Sequence, residues 1–198
     1  MIGEDIINTF ASLGDIGMLL AITIIIWIDG TAFPTLPEVW MVFLYGVHPE
    51  SFAWGAAIVI TASAASLLGN FTLYSLVKIA KLPKWVQKKM KQYTNFLIVK
   101  DEKLLLLNRL APIVPYTGAF IAVCNWNVKK SALYIFVSAL AKFSIIVLIS
   151  WASFESVKEE IAPFVSLAVV IILLVSSIIV SFVYKKRRLP KEEPVRSQ

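Results

Sequence analysis

Residues 29–40 read DGTAFPTLPEVW, and residues 108–120 read NRLAPIVPYTGAF. Each stretch holds charged or polar residues followed by two prolines three positions apart: Pro34 and Pro37 in the first, Pro112 and Pro115 in the second. Apolar arms flank both, Ile16–Ile28 and Val39–Val47 around the first, Leu104–Leu107 and Tyr116–Trp126 around the second. Proline lacks a backbone donor and disfavours helix in the residue before it, so both stretches are predicted to unwind. Unwound backbone inside a hydrocarbon layer is tolerated only where protein or a water-filled cavity covers it. Interrupted apolar segments at matching places in two halves predict an inverted repeat around a binding site.

Working outward, the rest of the chain supplies the membrane. Of its 198 residues 58% are hydrophobic and only 16% are charged, against about 25% charged in a typical soluble domain. A crossing needs about 20 mostly apolar residues. Phe52–Ala80, Ser131–Ser153 and Pro163–Tyr184 satisfy this, whereas Ile16–Ile28 is too short and breaks at Asp29-Gly30. The expected fold is an all-α integral membrane protein: two re-entrant helical hairpins in an inverted repeat, each followed by a transmembrane helix, plus a C-terminal transmembrane helix. A single transmembrane domain covers 1–184, with repeat one at about 16–80, repeat two at about 104–153 and a last crossing at about 163–184. A basic tail, 185–198, follows.

Charge sets the expected orientation. Lysines crowd the region between Lys81 and Lys103, then Lys129 and Lys130, and a basic cluster spans Lys185–Arg188. The positive-inside rule places all three groups, and the C-terminus, in the cytoplasm of a multi-pass cell-membrane protein. The second broken segment begins and ends beside these lysines, so it should enter from the cytoplasm and return there. The inverse for the first puts the acidic N-terminus (Glu4, Asp5, Asp15) outside. The alternative is one kinked crossing over Ile16–Val47 with the N-terminus inside. No basic region or cleavage site of a signal peptide opens the sequence. Residues 82–99 read either as an amphipathic helix on the cytoplasmic leaflet, with Val86, Met90, Tyr93 and Leu97 on one face and Lys84, Lys88 and Lys91 on another, or as a connector whose lysines only orient the protein.

Asp29, Glu38, Arg109 and Lys142 lie within the apolar stretches. Each such charge costs about 2.5–3.5 kcal/mol at a helix centre, so a partner or a cavity is expected. Asp29 and Glu38 bracket the first break and Arg109 opens the second. Facing hairpins would gather them into an anion or proton site, with Arg109 binding a phosphate-like group and the acids exchanging protons or pairing charge. The bland alternative is simple charge neutralisation. Lys142 reads as a snorkelling side chain or a cap on a backbone carbonyl. Small residues including Gly69 favour close helix packing, and Asn70 is placed to bond unwound backbone. Trp54, Trp126 and Tyr184, at segment ends, suit membrane interfaces. Single Cys124 and His48 leave no basis for a disulfide or a metal centre, and no catalytic constellation or cofactor site is expected. The net charge of +6 flanks apolar runs, which argues against nucleic-acid binding.

These motifs resemble the DedA family, also called VTT-domain or SNARE-associated Golgi proteins. FPTLPEVW is similar to its first signature, with Asp29 and Glu38 matching two membrane-embedded acids. LLGNFTLYSLVK resembles the following helix at Gly69 and Tyr74. NRLAPIVPYTGAF is similar to the second signature, with Arg109, Pro112 and Pro115 in an R-x-x-P-x-x-P form. The resemblance covers about 16–153. Many bacterial members carry a second arginine where this chain has Pro115, which puts a two-arginine clamp in doubt. The resemblance implies facing re-entrant hairpins and translocation of lipid, either polyprenyl-phosphate carriers or phospholipids, with proton coupling in some members. The expectation is therefore a lipid flippase or scramblase whose partners are membrane lipids, with Arg109, Pro112, Pro115 and Asn70 at the headgroup. A proton-coupled ion or solute transporter and a non-transporting scaffold are the alternatives, and homo-oligomerisation is left open.

Overall fold

Long apolar runs bounded by polar caps become long helices. The computed structural model describes residues 9–10, 13–31, 35–80, 82–95, 101–108, 116–158 and 160–188. The helices are α1 Gly14–Thr31, α2 Pro37–Tyr45, α3 Phe52–Ala80, α4 Lys84–Asn95, α5 Leu104–Asn108, α6 Thr117–Cys124, α7 Val128–Ser156 and α8 Ala162–Arg188. No strand forms among the described residues. Ser51 starts α3 by accepting the Trp54 N–H (3.2 Å), and Asn127 starts α7 by accepting the Lys130 N–H (3.1 Å), both N-cap bonds that satisfy otherwise orphaned donors. Inside the helices, buried hydroxyls bond back to their own carbonyls: Ser63 to Val59 O, Ser150 to Ile146 O and Ser166 to Ala162 O, at 2.7–2.9 Å. That arrangement leaves no polar demand on a hydrocarbon surround.

α1, α3 and α7 are each long and apolar enough to cross a membrane. Large apolar side chains point away from the protein on all of them, among them Leu20, Ile60, Leu68, Leu133 and Leu148. Helices apolar on their outer as well as inner faces mark a membrane protein. α8 is a single helix of 27 residues, apolar over Ala162–Ser176, and it continues through Lys185–Arg188, beyond the expected tail boundary. One correction concerns α1. Its helix does not stop at Ile28 but runs through Asp29 and Gly30 to Thr31, which brings it to 18 residues. Gly30 lies directly on Gly69 of α3: a Cβ added to Gly30 would stand 3.0 Å from the Gly69 Cα. Two bare backbones in contact hold the helical turn that the local sequence disfavours.

The chain doubles back twice. After α1, the Thr35 hydroxyl donates to Ile25 O (3.0 Å), so by residue 35 the backbone is already returning along α1. It arrives where it began, with His48 Nε2 3.0 Å from Asp15 Oδ1. In the second half Asn108 Nδ2 donates to the Thr117 hydroxyl (3.1 Å), and Lys130 Nζ sits 3.6 Å from Glu102 Oε1, again joining exit to entry. Leu36 and Tyr116, the residues before α2 and α6, both adopt the left-handed conformation, at φ/ψ 50°/59° and 53°/56°. Such geometry is uncommon away from glycine and costs on the order of 1–3 kcal/mol, so surrounding packing must hold it.

Packing is reciprocal. α1 and α5 lie on the long helix of their own half, α3 and α7 respectively. α2 and α6 reach across, α2 chiefly to α7 and α6 to α3. One core gathers Ile22, Met41, Ala62, Ala139 and Phe143 where α1, α2, α3 and α7 meet. A second gathers Leu104, Phe120, Ile121 and Ile135 from α5, α6 and α7.

Candidate functional site: a carboxylate and an ammonium between the halves

The sharpest chemical feature follows from α2 crossing to α7. Pro37 and Glu38 open α2, with proline at the first helical position, where its missing N–H costs nothing. Glu38 is thereby held at the inner end of a short helix, and its side chain is 7% exposed. Lys142 occupies the centre of α7, among Ala139, Phe143 and Ile146. Its Nζ donates to Glu38 Oε1 in a salt bridge and lies 5.8 Å from the centre of the Phe143 ring. Lys142 thus neither snorkels nor caps a carbonyl, as its sequence setting suggested. It neutralises a carboxylate contributed by the other half of the molecule.

Buried charges in hydrocarbon-facing protein survive only as pairs. The pair therefore fixes α2 against α7, and anything that competes for either partner loosens that contact. Glu38 was legible as a site candidate because an acid follows the Pro-rich break. Nothing local in the sequence marks Lys142 as a partner for it. The available signal was complementarity, a cation at the middle of a crossing helix and an acid just after the Pro-rich break.

Asp29 has a different setting. Its Oδ1 accepts the Thr35 N–H (3.2 Å), tying the returning chain to the end of α1. Asn70, buried on α3, donates through Nδ2 to Ser66 O of its own helix (2.8 Å). Its backbone, together with that of Tyr74, carries α6, since a Cβ on Gly118 would fall 2.1 Å from Asn70 O and 2.9 Å from Tyr74 N. Gly69 forms the crossing with Gly30. The Tyr74 ring meets Phe71 edge-on and lies under the Lys78 ammonium, 5.1 Å away. Arg109, Pro112 and Pro115 fall outside the described residues, as do 96–99 of the amphipathic stretch.

Two tryptophans expected at membrane interfaces face inward instead. Trp54 is buried and donates its indole N–H to Leu44 O (2.8 Å), pinning α2 to α3. Trp126 packs in the second core. Each sits at a helix end, the position an interfacial residue would take, but tertiary contacts claim the ring. Among the described residues no group of His, Cys, Asp and Glu gathers that could hold a metal ion.

Comparison with protein-family models, with curated proteins and with solved structures finds no match.

Proposed function

We propose that this membrane protein translocates lipid, as a flippase or scramblase of the DedA/VTT kind, through a polar site between two re-entrant hairpins. The observation that carries the reading is the Glu38–Lys142 pair, two opposite charges from different halves meeting inside apolar helices. Asp15–His48 and Glu102–Lys130, each joining the entry and exit of one half, support the hairpins. The exchange of α2 and α6 between α7 and α3 supports an inverted repeat. A headgroup phosphate would bind Arg109 and draw on Lys142 as it passes, while its tails stay in lipid. Polyprenyl phosphate and phospholipid both present that group. In this reading the protein lies in the cell membrane, with its C-terminus cytoplasmic and its N-terminus outside.

The test is a translocation assay in proteoliposomes with fluorescent phospholipid and polyprenyl-phosphate probes. Arg109→Ala and Lys142→Met should each remove probe movement while the protein still reconstitutes. Unchanged movement in both variants would overturn the reading. A second reading, proton-coupled transport of a small ion or solute, rests on the same carboxylate, because protonating Glu38 would release Lys142. A flux driven by a pH gradient without lipid movement would select it.

A further inference from the structure

A separate feature lies at the lysine-rich end of α3. There Val77, Lys78, Pro83, Lys84 and Gln87 enclose a cavity of about 470 Å³, closed on one side by Val123 of α6. A shallower hollow of about 340 Å³ adjoins it, sharing Lys84 and Gln87 and adding Lys88 and Lys91. No carboxylate lines either hollow among the described residues. Gln87 Nε2 donates to Leu82 O (2.7 Å), which fixes the α3–α4 turn as a wall and not a free loop. Beside these ammonium groups stand exposed apolar side chains: Ile79 at 80% exposure and Trp85 at 67%.

We propose that this α3–α4 corner binds the phosphate headgroup of an anionic phospholipid in the adjacent leaflet. The Lys78 and Lys84 ammonium groups, with no carboxylate among the described lining residues, set the sign of the ligand, and basic pockets beside membrane helices suit anionic headgroups. Ile79 and Trp85 settle its source. In water they would be a liability, but acyl chains and the headgroup layer are where such side chains rest. A free anion would leave them uncovered. Neither Glu38 nor Lys142 lines these hollows, so the test below reads this site apart from the proposed translocation.

Native mass spectrometry of the full-length protein, released from detergent containing equal phosphatidylglycerol and phosphatidylcholine, reads the preference directly. The wild type should retain phosphatidylglycerol, and each lysine lost should cut the preference about fivefold. Lys78→Gln with Lys84→Gln should therefore cut it about 25-fold, and Lys78→Arg with Lys84→Arg should keep it. Removing a charge beyond the far end of α7, with Lys158→Gln, should leave it in place. Equal retention of the two lipids by the wild type, an equal loss in the distant control, or displacement of the lipid by millimolar inorganic phosphate would each overturn the proposal.

Discussion

Gly30 and Gly69 touch backbone to backbone: a Cβ on Gly69 would lie 2.6 Å from Trp27 O and 2.9 Å from the Gly30 Cα. Trp27 reinforces the crossing by donating its indole N–H to the Thr72 hydroxyl (3.0 Å). Gly69→Val should separate α1 from α3 and destabilise the protein by about 1–3 kcal/mol, the usual cost of overpacking. Denaturant titration of the purified protein in mild detergent measures this. An unchanged midpoint would mean that the helices are not in contact at that point.

The ion pair between Glu38 and Lys142 predicts strong non-additivity. Removing one partner of a largely buried pair takes a counter-charge from the other, at up to about 3–5 kcal/mol. Glu38→Gln and Lys142→Met should each destabilise, and the double variant should recover much of the loss. A double-mutant cycle on thermal unfolding gives the coupling, expected above about 1 kcal/mol. Additive effects would break the pairing.

Asp29 separates charge from hydrogen bonding. Asp29→Asn keeps an oxygen for the Thr35 N–H, whereas Asp29→Ala removes it. The alanine variant should lose about 1–3 kcal/mol and the asparagine variant much less. If the asparagine variant folds normally but transports poorly in the proteoliposome assay, the carboxylate charge itself takes part in transport.

Orientation is open to direct test. With Cys124→Ser as background, a cysteine placed at Asp5 should react with an impermeant maleimide in intact cells if the first half is a re-entrant hairpin. Labelling only after lysis would put the N-terminus inside and overturn that orientation.

Much of the helical framework is legible in the apolar runs alone. α3 and α7 announce themselves as the apolar runs Phe52–Ala80 and Ser131–Ser153, the second extended in the structure to Val128–Ser156, and the breaks near Pro34 and Pro37 flag where the chain turns. What could not be read were effects of contact at long range. Asp29-Gly30 looks like a terminator, yet stays helical because Gly69 waits opposite. Glu38 and Lys142 are 104 positions apart, and no local pattern joins them. Trp54 carries the sequence mark of an interface residue but finds a carbonyl on α2. Local preference yields wherever a neighbouring element offers a better arrangement.

α8 rests on both α2 and α7, and its Val170 and Leu167 belong to the core these helices share. Prising the acid away from its lysine must therefore slide α8 over at least one of its two supports. The firmness of that contact rests partly on greasy side chains that carry no charge, so trimming Leu167 to alanine should loosen α2 against α7 without touching either ionised group.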